Sequence, residues 1–167
     1  MSDFEQPDAE KSSSQDSGYK AQFSNDEWNY ILYSPIVVFA LVAGADGTID
    51  RKEVVSFHKE LLKGIAGDSA MMQHVMIEVI PNMESLTKDV LHGEVDPKSV
   101  IEKIAKAVDL KLSDDEAMQF KLSLLQFGKA VAESSGGFLG IFGNKISKEE
   151  KTALAALAVL LKVNKLH

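Results

Sequence analysis

From residue 24 to residue 164 apolar side chains return every three or four positions, and no stretch sustains the strict alternation of a half-buried strand. That periodicity predicts an all-α domain, a compact bundle of seven or eight helices. Several entries are signed by a capping residue with a carboxylate three places on, a pair that can satisfy two free backbone amides reciprocally. Ser24 with Glu27, Ser113 with Glu116 and Ser147 with Glu150 have this form, and Asp50 with Glu53 is its acidic variant. Pro35 and Pro97 stand behind Ser34 and Asp96, read as caps, where a first helical turn tolerates proline. Together these signals predict helices over 25–33, 35–44, 51–65, 69–80, 84–92, 97–109, 114–134 and 148–164. Segments 35–44 and 148–164 are apolar nearly all round, so both are expected at the buried centre.

The pattern fails before residue 23. Residues 1–22 are acidic and serine-rich, lack a cationic start and an apolar run, and are expected to form a disordered tail ahead of a helical domain over 23–167. Charge follows the same division. Residues 1–27 hold seven acids against two lysines, a net of −5, out of a formal −7 for the whole chain. The remainder is nearly neutral, which argues against a phosphate-binding face, so no nucleic-acid partner is expected. The absence of cysteine removes disulfides, thiolate metal sites and a cysteine nucleophile together. The longest apolar runs, 36–45 and 153–161, are ten and nine residues, about half of a bilayer crossing. No membrane span is expected, and a cytoplasmic location follows as an expectation.

Chemistry concentrates in Ala45-Asp46-Gly47-Thr48-Ile49-Asp50-Arg51-Lys52-Glu53. Against the twelve-residue calcium loop, Asp46 takes the fifth place, Gly47 the sixth, Asp50 the ninth and Glu53 the bidentate twelfth. The first and third places fall on Val42 and Gly44, which offer no carboxylate. Half a cation loop remains, open to two readings: a site for a hard cation such as Ca²⁺ or Mg²⁺ completed from elsewhere, or a glycine turn leading into an acidic helix start favoured by the macrodipole. A weak internal echo bears on the choice. Asp46-Gly47-Thr48-Ile49-Asp50 with Glu53 parallels Gly143-Asn144-Lys145-Ile146-Ser147 with Glu150, each ahead of an apolar helix. If two weakly related halves pack about a pseudo-twofold axis, Glu149 or Glu150 could lend oxygens to the first turn; every capped helix after a tight turn would look similar.

Three ordered elements give the chain a family likeness: Glu27-Trp28 followed by Ser34-Pro35-Ile36-Val37-Val38, then the turn from Ala45 to Glu53, then Gly136-Gly137-Phe138-Leu139-Gly140-Ile141-Phe142-Gly143-Asn144-Lys145-Ile146-Ser147-Lys148-Glu149-Glu150-Lys151. In this set the chain resembles the TerB-like family, named for tellurite-resistance operons, over everything but the tail. The resemblance implies a compact all-α fold, a tellurite-resistance or stress-response setting, and metal chelation by acids near helix starts. By matching position these acids are Asp46, Asp50 and Glu53, with Glu150 as the symmetric counterpart. Residues 66–112 match least well.

Other motifs add little. The glycine and phenylalanine run at 136–143 misses the phosphate-loop pattern and reads as a bend folding its own side chains inward, or as an apolar docking hairpin. His58, His74, His92 and His167 stand apart without zinc spacing. Met71, Met72, Met76 and Met83 read as core filling or as an adaptable groove. Lys98, Lys103, Lys106 and Lys111, offset by Glu102 and Asp109, form a solvated helix face. The expected function is a non-enzymatic helical module binding a divalent cation or a protein partner. The alternatives are a metal-assisted hydrolase with a cation on Asp46 and Glu53 activating water, and a purely structural interaction domain.

Overall fold

Pro35 at the first turn and a run of Ile, Val, Phe and Leu with no charge make Ser34–Ala43 the one helix that can be surrounded on every side. In the computed structural model, which describes residues 18–64, 69–136 and 146–163, this helix touches every other helix of the bundle. In chain order the helices are α1 (Asn25–Leu32), α2 (Ser34–Ala43), α3 (Arg51–Gly64), α4 (Ala70–Leu91), α5 (Pro97–Lys111), α6 (Asp114–Gly136) and α7 (Lys148–Leu160), with a 3₁₀ turn Gly44–Asp46 after α2. The fold is all-α, with no strand among the described residues.

Ile36, Val37, Val38, Phe39 and Val42 of α2 are all but inaccessible to solvent. Phe39 stacks on Phe57 of α3 at 4.1 Å, and Phe57 meets Phe127 of α6 edge-on at 5.8 Å, an aromatic clasp through three helices. Gly128 lets α6 come close: a Cβ there would lie 3.0 Å from Leu157 and 3.1 Å from Val38. Met71, Met72 and Met76 are buried and Met83 packs against the same core, so the methionines fill the interior and form no groove.

The structure departs from expectation in five places. Ser34 does not cap α2: it is the first residue of that helix, and its buried hydroxyl makes no capping bond. Segments 69–80 and 84–92 are one helix, α4, which runs through Pro81. Pro81 is exposed, so the carbonyl of Ile77 that loses its amide partner lies on the solvent side, where water can take it. The C-terminal helix is not central: α7 buries Ala153 and Leu157, with Leu161 just past its end, but leaves Val159 58% exposed. It ends at Leu160 rather than 164, because Lys162 turns left-handed (φ 59°) and buried Val163 donates back to the carbonyl of Ala158. Order also begins before residue 23. Residues 18–20 are helical, Tyr19 donates to Glu116 Oε1 at 3.3 Å, and its ring lies 5.2 Å from that of His74. The expected tail over 1–17 and the glycine-rich segment over 137–145 lie outside the described residues.

No single helix among the described residues is long and apolar enough to cross a membrane. Only α1 together with the segment from Ser34 to Asp46, bent by 42° between them, reaches that length and apolarity among the described residues, and α2 owes its composition to its place in the core.

Candidate functional site

After α2 the chain must reverse, and Gly47 makes this possible by taking φ 94°, a conformation that costs an L-residue about 1–2 kcal/mol. Asp46 closes the turn, its Oδ1 accepting from the Thr48 amide at 3.1 Å. Ile49 anchors it, packing onto the core and lying 3.5 Å from the position a Gly44 Cβ would occupy. Asp50 then starts α3 with a reciprocal cap: Asp50 Oδ1 accepts from the Glu53 amide at 2.8 Å, and Glu53 Oε2 accepts from the Asp50 amide at 2.7 Å.

The same device recurs at α7. Ser147 Oγ accepts from the Glu150 amide at 3.1 Å, Glu150 Oε2 accepts from the Ser147 amide at 2.9 Å, and Ile146 packs on the core as Ile49 does. The internal echo is therefore real at the level of local geometry over 49–53 and 146–150, while its first part, 143–145, lies outside the described residues.

The four carboxylates read from the sequence share a neighbourhood. Burial raises the pKa of Glu53, and the charges of Asp50, Asp46 and Glu150 each raise it further, against the lowering effect of the Asp50 amide. Glu150 is itself buried, and α7 packs against the 3₁₀ turn that carries Asp46. Each of the four nonetheless uses an oxygen on backbone amides, and among the described residues no three His, Asp or Glu side chains are grouped as a metal-holding set. As the fold stands, these acids shape two helix entries and concentrate negative potential at Glu53.

Beside them lies a feature that no sequence motif announced. Ala40 and Leu41 of α2, Gly44 and Ala45 of the turn, and Ala153 and Ala156 of α7 form the small-residue floor of an open groove of about 720 Å³. Asp96, Pro97 and Lys98 at the start of α5 and Lys148 and Glu149 at the start of α7 form its rims. Asp96 is committed to its helix, accepting from the Ser99 amide at 3.0 Å, and Thr152 donates to the Lys148 carbonyl at 3.0 Å. The size suits a ligand or a few side chains of a partner. Its floor offers shape and apolar contact, and its rims offer charges of both signs. The groove draws on three stretches that are 40–45, 96–98 and 148–156 in the sequence, and only an unusual density of alanine and glycine hinted at it. Comparison with protein-family models, with curated proteins and with solved structures finds no match to this chain.

Proposed function

We propose that the chain is a non-enzymatic helical module that binds a protein partner, in the stress-response setting that its resemblance to the TerB-like family implies. The observation that carries this reading is the groove of about 720 Å³ between α2, α5 and α7, whose alanine and glycine floor admits close approach of another backbone. A photoreactive residue substituted for Ala156 in the full chain and irradiated in cells is expected to give one discrete cross-linked species. Placement at exposed Gln119 on α6 should not give it. Identical adducts from both positions would remove the reading.

A second reading is favoured by a separate observation: Glu53 lies in the field of Asp46, Asp50 and Glu150. A divalent cation such as Ca²⁺ or Mg²⁺ would relieve that repulsion, held by Asp46, Asp50, Glu53 and Glu150 through oxygens not engaged in capping. Calorimetric titration with Ca²⁺, Mg²⁺, Mn²⁺ and Zn²⁺ tests it. Binding heat and a raised melting temperature, both abolished in Asp46→Asn/Glu53→Gln, are expected; no heat with any of the four ions sinks the cation reading and leaves the groove untouched.

A further inference from the structure

The inner side of α3 turns Phe57 and Leu61 into the core, and its outer side is unusual for so acidic a chain. Every exposed side chain of α3 over 51–63 is either a cation or a large aliphatic: Arg51, Lys52, Val55, Lys59, Leu62 and Lys63. Their spacing makes one helical stripe, with Val55 48% and Leu62 56% exposed between the charges. No exposed carboxylate over 51–63 shares it. Glu53 is turned back to the Asp50 amide, and half-buried Glu60 accepts from Lys63 at 2.9 Å. From neighbouring elements the charge of Glu84 of α4 reaches His58 on the flank, and those of Asp46 and Glu150 reach Glu53 at the helix entry.

The other lysine-rich face, on α5, is mixed in charge. Lys103 sits 4.6 Å from the centre of the Tyr30 ring, Lys111 lies 3.9 Å from Glu27, and Glu102 and Asp109 interrupt the row. The exposed charge on α3 is all of one sign, and an acidic segment with an occasional apolar side chain is its complement. The chain carries one. Residues 1–17 hold Asp3, Glu5, Asp8, Glu10 and Asp16 against Lys11, five acids less one base or −4, with Phe4 among them. They join the domain at Gly18, and seventeen residues reach up to about 56 Å. A domain of this size has a radius of gyration near ~15 Å, so α3 is within range. A short tether also holds a segment at roughly millimolar effective concentration, ahead of any acidic competitor in solution.

We propose that the outer face of α3 is a docking surface for the acidic residues 1–17 of the same chain, bound chiefly by charge. An acidic segment of another protein would then have to displace these residues to reach the stripe, which makes its availability adjustable. Because the chain has no cysteine, Ser13→Cys gives the full-length protein a unique position for a nitroxide label. Paramagnetic broadening of backbone amides is expected to concentrate on residues 51–63 at ~0.02 M NaCl. It should fall about threefold or more at ~0.5 M, where the screening length drops from roughly 20 Å to roughly 4 Å. The exposed substitutions Lys59→Glu and Lys63→Glu should produce the same loss at low salt, with unchanged far-UV circular dichroism. Broadening spread evenly, centred on α5, or indifferent to salt and charge reversal overturns the proposal. So does broadening seen only between a labelled chain and a separate unlabelled one, which would make a second copy the occupant.

Discussion

At Glu53 two demands meet, because the carboxylate must stay near a backbone amide to cap α3 while burial, Asp50, Asp46 and Glu150 all oppose its ionisation. Its folded pKa is raised above the ordinary value of 4.5, so folding favours the protonated form, and the associated stability is present at low pH and lost as pH rises through the folded pKa. Glu53→Gln keeps an oxygen for the Asp50 amide and removes the charge. Urea titrations should therefore show the variant gaining on the parent as pH rises from about 4 to about 7, with no gain near pH 3; a parent that pulls ahead at neutral pH would mean the charge itself serves the cap. His58 runs the other way. Its Nε2 is buried without a hydrogen-bond partner, and burial lowers its pKa below 6.5 despite Glu84, so the neutral ring is the folded form. Stability tied to it is present above pH 6.5 and is lost as pH falls through the lowered folded value. A His58→Leu chain should lose less of its urea midpoint between pH 7.5 and pH 5 than the parent, and an NMR titration should place the imidazole below its ordinary range.

Between helices, one buried cation decides how α5 and α6 are held. Lys121 of α6 is buried, and its Nζ meets Asp109 Oδ1 of α5 at 2.7 Å, while Asp109 keeps about a third of its side chain in solvent. Removing either partner is therefore unequal. Asp109→Ala strands an ammonium inside the bundle and is expected to cost about 2–4 kcal/mol, whereas Lys121→Met fills the same channel and leaves a carboxylate that water can reach, for about 1 kcal/mol or less. Equal losses in chemical denaturation would show that the pair is worth no more than its packing. Most helix entries were legible in the sequence because capping residues and first-turn prolines act locally: Ser24, Asp50, Asp96 and Ser147 each cap the helix they announced. What misled was chemistry whose outcome depends on the neighbours. Segments 69–80 and 84–92 read as separate helices, yet α4 runs on through Pro81 with that residue on an exposed face, and the apolar run of α7 reads as core although Ala155 and Val159 are exposed. The four acids were legible as residues. Their capping bonds follow from spacing alone, but the approach of Glu150 to Glu53 depends on how α7 lies against the first turn, which only the echo hinted at.

For the molecule as a whole, the recurrence of one capped turn at 49–53 and 146–150 raises the question whether two halves could hold together separately. The position of α2 argues that they do not. It belongs to the first half by sequence, yet its buried face is shared with α5, α6 and α7, and the Phe39–Phe57–Phe127 clasp crosses between the halves. Trp28, the only tryptophan, reports on the α1 side, where its indole is buried and donates to Glu78 at 3.2 Å. Helix content reports on all seven elements. If α2 is a common core, the tryptophan emission and the far-UV dichroism should trace one coincident urea transition in the parent chain. Phe39→Ala, which opens a cavity at the clasp, should shift both curves together by about 3–5 kcal/mol. Curves that separate, with dichroism persisting after the tryptophan signal is lost, would instead mean that α5, α6 and α7 form a unit able to stand without α1 and α2. In that case the groove between α2, α5 and α7 would be a seam that can open, rather than a fixed recess.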